Sequence, residues 1–343
     1  MSHEPKLEIC KFTLFKKEDN SKVAFREFFR KKFHNEYAEL PKPIIQNDIL
    51  NLFYKDFIKA IDNNDYHLNH KKKKGFKVAK NQNNGNVESQ LNFHHGDFAV
   101  SGILDGGKHD VKRWMGDTTD VNVNQIIQKK NIVNDRYFFL IYTPLNHFEG
   151  ILMIQSYSEI SISDIFKEFV NKYFVYFNEV KNEIESYIPD HLRQEYLEGA
   201  TYKSIRFTTD CNIAPNFNGD IEQEQYHLQV RIEIINKSDN QRDYSKLKDF
   251  FSKISKSKFM PTGGNAIELE DFKEHKGILS DGKPVPIVID EDTEIKPIIR
   301  LKEQGIAVDD GNVPDFEQIK NYCLDLLHTI QETLLPENAV EEL

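Results

Sequence analysis

The feature of this sequence that most constrains its fold is a long apolar stretch over residues 136–177. It contains two apolar runs, residues 137–142 and 151–154, which are separated by residues typical of turns, among them Pro144 and Gly150. Short apolar runs of this kind are typical of strands that are covered on both faces of a sheet. The stretch therefore predicts two neighbouring strands at the centre of the core.

The hydrophobic period changes directly after these two runs. Apolar residues between positions 162 and 177 recur at spacings of three and four, which is the pattern of an amphipathic helix. Ser161, followed three residues later by Asp164, resembles a capping box with Asp in place of Glu. We expect this helix to lie across the sheet with Phe166 and Phe169 facing inward.

Weaker patterns along the chain indicate further elements. They predict a first strand over residues 6–15, helices that end near residues 40 and 62, a hairpin around the turn at 83–86, an alternating strand over 226–236 and a final helix after Pro314. Strands and helices do not alternate regularly, which favours an α+β fold with a mixed or antiparallel sheet covered by amphipathic helices. At 343 residues the chain is long enough for two domains, and we predict α+β domains over residues 1–180 and 181–343, the second ending in a long helix.

Charge and cysteine content restrict the class of protein. The formal net charge of -10 disfavours indiscriminate binding to polyanions, although a local basic groove is compatible with it. Cys10, Cys211 and Cys323 lie far apart, which argues against a disulfide framework and a cysteine-based zinc site. No secretory signal is apparent, and no apolar run approaches the roughly 20 residues that cross a bilayer. We therefore expect a cytoplasmic protein without a membrane partner.

A cluster of lysines stands out in this acidic chain. Because each lysine can neutralise a phosphate and release counterions, the cluster predicts contacts with the backbone of DNA or RNA. The residues assigned to this role are Lys71, Lys72, Lys73, Lys74 and Lys77. Phe76, which lies among them, is placed to stack on a base. The alternative is a solvated loop whose lysines only maintain solubility.

The segment from Gly102 to Lys108 has the spacing GxxxxGK of a phosphate-binding loop. His109 follows it, where such loops carry the Ser or Thr that holds magnesium, and no helical pattern comes after. We therefore interpret residues 105–107, Asp-Gly-Gly, as a tight hairpin turn.

Histidine and acidic residues on both sides of position 100 are candidate metal ligands. His95, Asp97 and His109 combine the imidazole and carboxylate groups that suit zinc or manganese. The neighbouring His94 would point to the opposite face of a strand from His95 and could not share its ion. No cofactor is evident beyond the divalent metal that these residues would allow.

A second acidic group follows the apolar run at residues 285–289. Asp290, Glu294 and Lys296 resemble the catalytic group of restriction-type nucleases, in which carboxylates hold a divalent ion and a lysine stabilises developing negative charge. Their spacing is more compact than that motif requires. They are candidate catalytic residues, and the alternative is an acidic surface loop.

The stretch YFFLIYTPLNHFEGILMIQSYSEISISDIFKEFV, residues 137–170, resembles poorly characterised bacterial proteins found among phage-defence genes. In those proteins a strand pair that ends in G-I-L-apolar-I-Q-S leads into a helix. The resemblance implies a role in antiviral defence and assigns no role to any residue.

Three functions follow from these patterns. The first is a cytoplasmic antiviral-defence component that binds nucleic acid through the lysine cluster. The second is a metal-dependent nuclease or other hydrolase. The third is a non-enzymatic scaffold whose aromatic-rich helices form a homo-oligomer or bind a partner protein, since aromatic residues are enriched in interface cores.

Overall fold

The structure, a computed structural model, shows two compact units. The first comprises Met1–Tyr187 and Ile298–Leu343, and the second Ile188–Pro297. The residues described are 3–40, 44–83, 86–110, 112–116, 124–158, 161–176, 179–192, 201–213, 226–235, 258–259, 267–268, 274–280, 284–288 and 299–334.

The first unit is built on a nine-stranded sheet whose paired strands are all antiparallel. Its strands are β1 (Pro5–Lys16), β2 (His67–Asn69), β3 (Lys74–Val78), β6 (Leu91–His94), β7 (Ala99–Lys108), β10 (Val133–Tyr142), β11 (Glu149–Tyr157), β12 (Val180–Ser186) and β19 (Ile299–Arg300). The order is β12-β1-β11-β10-β7-β3-β2, with β19 beside β1 and β6 beside β7. Two separate hairpins pair β4 (Lys80–Asn83) with β5 (Asn86–Ser89), and β8 (Arg113–Gly116) with β9 (Asn124–Ile127).

The two apolar runs are neighbouring central strands, as predicted. β10 pairs with β11 on one side and with β7 on the other, and β11 also pairs with β1. All side chains from Tyr137 to Tyr142 are buried, because both faces of the sheet are covered. This explains why the run is continuously apolar and does not alternate.

Helices pack on both faces of this sheet. They are α1 (Phe25–Lys32), α2 (His34–Ala38), α3 (Gln46–Ile61), α4 (Ser163–Tyr173) and α5 (Phe316–Leu334). Phe139 of β10 lies in one cluster with the aromatic residues of α1, α3 and α4, whereas α5 packs against β10. The α+β class with a mostly antiparallel sheet is therefore confirmed.

Helix α4 crosses the sheet as predicted. Phe166 is completely buried, with its ring centroid 4.9 Å from that of Phe139 and 5.4 Å from that of Phe76. Phe169 packs beside it and is partly buried. The burial of these rings anchors the helix to the centre of the sheet.

The predicted capping box at the start of α4 is wrong. The N–H of Ser163 donates to Oγ of Ser161 over 3.0 Å, but this bond lies outside the pattern of a capping box. The carboxylate of Asp164 instead accepts a hydrogen bond from Nζ of Lys74. Asp164 therefore connects α4 to β3.

The phenylalanines of the helices fill the core and do not form an exposed aromatic face. The completely buried ones on α1 and α3 are Phe25, Phe28, Phe29, Phe53 and Phe57. The scaffold hypothesis relied on aromatic-rich helices as an interface, and core packing accounts for these rings.

The predicted turn at residues 105–107 is wrong, because these residues lie within β7. A β-carbon at Gly107 would lie 1.9 Å from the carbonyl oxygen of Val133, and one at Gly106 would lie 3.0 Å from that of Gly75. The two glycines thus permit a close approach of the neighbouring backbones β10 and β3.

The second unit contains a four-stranded antiparallel sheet. Its strands are β13 (Thr201–Ile213), β14 (Tyr226–Ile235), β17 (Glu274–Ser280) and β18 (Pro284–Val288), in the order β14-β13-β17-β18. A short pair joins β15 (Lys258–Phe259) and β16 (Ile267–Glu268). The strand predicted over residues 226–236 is β14, which confirms that element.

The compact units differ from the predicted domains of residues 1–180 and 181–343. The segment from Ile298 onward belongs to the first unit, since β19 pairs with Lys6 and Leu7 of β1 and α5 packs against β10. β12, which crosses the predicted boundary, also pairs with β1.

In the described part of the chain, no helix is both long enough and apolar enough to span a membrane.

Candidate nucleic-acid interface

The predicted lysine cluster lies at one edge of the nine-stranded sheet. Lys71, Lys72 and Lys73 form the exposed turn between β2 and β3. Lys73 has a φ of 52°, a left-handed conformation that is uncommon for a residue with a long side chain. Because all three lysines are exposed, the turn at this edge of the sheet faces solvent.

Two lysines of the cluster are neutralised by helix α4. Nζ of Lys74 lies 3.0 Å from Oδ1 of Asp164, and Nζ of Lys72 lies 3.4 Å from Oδ2 of the same residue. Lys72 also pairs with Glu168. Burial alone would raise the pKa of Asp164, but the hydrogen bonds and charges of Lys74 and Lys72 lower it below its usual value.

The remaining three lysines of the cluster differ in their surroundings. Lys77 lies over the ring of Tyr66, with Nζ 4.9 Å from the ring centroid. Lys71 and Lys73 make no ion pair with any residue that the structure describes. Of the five predicted phosphate contacts, Lys71, Lys73 and Lys77 thus make no ion pair with a described carboxylate, and Lys71 and Lys73 are the exposed ones among these three.

The predicted stacking role of Phe76 is wrong. Its side chain is 1% exposed and packs against His67, with ring centroids 4.8 Å apart, and against Phe166. Phe76 alternates inward along β3, so its ring belongs to the core under α4.

A cleft of about 680 Å³ opens beside the lysine turn. Its lining residues are Tyr66, Leu68, His70, His109, Asp110, Lys129, Lys130, Asn131 and Ile132. Two backbone hydrogen bonds connect its walls: the N–H of His109 donates to the carbonyl of Lys73 over 3.0 Å, and that of Asp110 to the carbonyl of Lys129 over 2.9 Å. Three separate segments of the chain therefore meet at this cleft.

Further exposed lysines lie on these segments and extend the basic surface. We define the lysine rim as Lys71, Lys73, Lys108, Lys112, Lys129 and Lys130. None of the six pairs with a carboxylate among the described residues. The sequence analysis missed the four lysines beyond the turn, because they occur singly or in one pair and lie far from the turn in the sequence.

An exposed tryptophan adjoins the rim in sequence. Trp114 of β8 is 64% exposed, and Nζ of Lys112 lies 5.3 Å from the centroid of its ring. Large aromatic side chains are usually buried on folding, and an exposed indole beside lysines offers a surface on which a nucleobase can stack. The lone tryptophan of the sequence is the signal that could have identified this position.

The structure does not bring the three candidate metal ligands together. His95 and Asp97 precede β7 and His109 follows it, and a ten-residue strand spans roughly 30 Å. His95 packs against Tyr54, while Asp97 accepts a hydrogen bond from Nε2 of His328 over 2.9 Å. Among the described residues, no group of three or more potential ligands is placed to hold an ion.

The candidate catalytic residues Asp290, Glu294 and Lys296 lie outside the described residues. Their role in a nuclease or hydrolase stays a prediction.

The partly buried His94, which is adjacent to the candidate metal ligand His95, predicts a pH dependence of stability. Nε2 of His94 lies 2.9 Å from Oγ of Ser101. Burial lowers the pKa of His94 below its usual value. Protonation is therefore easier in the unfolded chain, so His94 stabilises the fold above its unfolded pKa of about 6.5 and loses this contribution as the pH falls.

We expect the urea midpoint of the protein to fall between about pH 7.5 and about pH 5, and to fall less in His94→Gln. Burial also lowers the pKa of His147. Because His147 is present in both proteins, it contributes a decrease of the same sign to each. An identical decrease in both proteins would exclude His94 as a source.

Searches against protein-family models, curated proteins and solved structures find no match to this chain. The function is therefore derived from the chemistry of the site.

Proposed function

We propose that the first unit binds single-stranded nucleic acid along the lysine rim and stacks a base on Trp114. The observation that carries this proposal is that six exposed lysines have no carboxylate partner among the described residues, and that two of them, Lys129 and Lys130, line the cleft beside the lysine turn. Lys72 and Lys74 of the lysine cluster are neutralised by Asp164. An ammonium group that neutralises a phosphate releases a counterion condensed on the nucleic acid, and this release favours association.

The net charge of -10 is compatible with such a surface. At about 0.1 M salt the Debye length is about 10 Å, so distant carboxylates act weakly on a phosphate at the rim. The ammonium groups closest to the bound strand determine its local electrostatic energy. The acidic remainder of the chain then reduces indiscriminate binding elsewhere.

Trp114 favours a single strand over a duplex. Its exposed ring can stack on a base only when that base is not already stacked between neighbours in a duplex. Stacking tolerates any base because each base has a π-face, so we propose binding with little sequence preference.

Fluorescence anisotropy with single-stranded DNA and RNA at several salt concentrations tests the proposal. If all six rim lysines contact phosphates, log affinity should fall against log salt with a slope of about -4. Trp114→Ala should weaken binding by about 1–3 kcal/mol without changing that slope, because stacking releases no counterions. Absence of binding to either polymer at low salt would refute the proposed function.

The same experiment distinguishes the other hypotheses. A metal-dependent nuclease or hydrolase predicts degradation of the oligonucleotide when Mg²⁺ or Mn²⁺ is added. A scaffold predicts no shift with nucleic acid and a change in elution volume with a partner protein or with protein concentration.

Antiviral defence in the bacterial cytoplasm is a further part of the proposal, supported by the resemblance of residues 137–170. Bacteria that express the chain should then resist phage better than bacteria that express a variant without the rim charges. Equal plating of phage on both strains would argue against this role.

A further inference from the structure

A histidine that lines the cleft carries an unsatisfied polar atom. The side chain of His109 is 8% exposed, and its Nε2 has no hydrogen-bond partner among the described residues. Its ring lies edge-on to that of His70, with centroids 5.6 Å apart and an interplanar angle of 82°. A buried nitrogen without a partner is unfavourable, and buried polar groups in native proteins are nearly always bonded. A ligand in the cleft would supply the missing partner.

The backbone around His109 is held in an uncommon conformation. Asp110 has a φ of 61° and Lys73 a φ of 52°, so both residues at the junction are left-handed. The hydrogen bonds from His109 to Lys73 and from Asp110 to Lys129 fix this junction on both sides. Such conformations are retained where surrounding structure imposes them, and they are concentrated at ligand sites.

The lining of the cleft has a polar part and an apolar part. The polar part comprises His70, His109, Asp110, Lys129, Lys130 and Asn131. It contains two ammonium groups and one carboxylate, so it favours an anion. Leu68, which is 47% exposed, and Ile132 provide apolar surface on the same cleft. The volume of about 680 Å³ lies within the range of small-ligand sites, which is roughly 300–1,000 Å³.

We infer that this cleft binds the terminal phosphate of a nucleotide, with His109, Lys129 and Lys130 contacting the phosphate and Leu68 and Ile132 contacting the nucleoside. The inference rests on the proposed function and deepens it, since it adds recognition of a strand end. A terminal phosphomonoester carries a charge of about -1.5 to -2 at pH 7, whereas a phosphodiester within a strand carries about -1. The adjacent ammonium groups of Lys129 and Lys130 therefore favour the terminal group.

The phosphomonoester can come from a strand end or from a free nucleotide, and a four-arm binding experiment separates these sources. The ligands are one oligonucleotide with a 5′-phosphate, with a 3′-phosphate or with hydroxyl groups at both ends, and a free nucleoside monophosphate. We expect one phosphorylated end to bind at least about tenfold more tightly than the hydroxyl form. Competition by the free nucleotide at equal concentration would assign the cleft to nucleotides.

His109→Gln should reduce the preference for the phosphorylated end to less than about threefold while binding through the lysine rim persists. His34→Gln, at an exposed position of α2, is the matched control and should retain the full preference. Because His109 is buried, the double substitution Lys129→Ala with Lys130→Ala at exposed positions provides a second test that does not disturb the core.

Equal affinity for phosphorylated and hydroxyl ends, together with no binding of the free nucleotide, would overturn the inference and leave the proposed function standing. Absence of binding by every oligonucleotide, together with binding of the free nucleotide that His109→Gln abolishes, would overturn the proposed function and support a nucleotide cleft. Preference for the phosphorylated end that survives both the His109 and the lysine substitutions would place that end elsewhere and overturn the inference.

Discussion

Replacing Phe166 by alanine should lower the free energy of unfolding by about 3–5 kcal/mol, because the substitution opens a cavity between α4 and the centre of the sheet. The ring is completely buried and contacts Phe139 and Phe76, which belong to two different strands. These strands cannot both move to fill the space without disturbing their pairing with β7. Urea denaturation followed by circular dichroism measures the loss.

Lys172→Ala is the matched control on the same helix. Its side chain is exposed, so we expect a change within roughly 0.5 kcal/mol. Lys167 is unsuitable as a control, since its Nζ lies 2.8 Å from Oε2 of Glu8. Comparable losses in Phe166→Ala and Lys172→Ala would contradict the placement of α4 on the sheet.

Reversing four charges of the lysine rim should nearly abolish binding to nucleic acid. In the variant Lys71→Glu, Lys73→Glu, Lys129→Glu, Lys130→Glu, four phosphate contacts disappear and four carboxylates repel the strand. The slope of log affinity against log salt should become shallower by about 3, and affinity should fall alike for unrelated sequences. Lys72 and Lys74 are left unchanged, because their ion pairs with Asp164 support the junction with α4.

The double reversal Lys55→Glu with Lys59→Glu controls for net charge. Both residues are exposed on α3, and the change in net charge equals that of Lys71→Glu with Lys73→Glu. If the rim contacts the strand, the α3 pair should change affinity far less than the rim pair. Equal losses would indicate that the overall field of the protein controls binding, and the rim would lose its assigned role.

The central architecture was predictable because it depends on local patterns. Burial on both faces leaves a continuous apolar run in β10, and an amphipathic helix leaves apolar residues at spacings of three and four in α4. Each pattern is formed by residues that lie within a few positions of one another in the sequence. These patterns identified the sheet, the helix on it and the α+β class without knowledge of any distant contact.

The candidate site was only partly predictable, because its properties depend on which distant residues become neighbours. The sequence singled out the lysine turn, but not that Asp164, 90 residues from Lys74, would neutralise part of it. Strand pairing brings Lys73 to His109, and a backbone hydrogen bond brings Asp110 to Lys129. A lysine that meets a carboxylate forms an ion pair, and one that meets solvent keeps its charge for a ligand. The sequence by itself thus determined where the central strands and α4 form, while tertiary contacts decided which lysines remain free and whether they line a cleft.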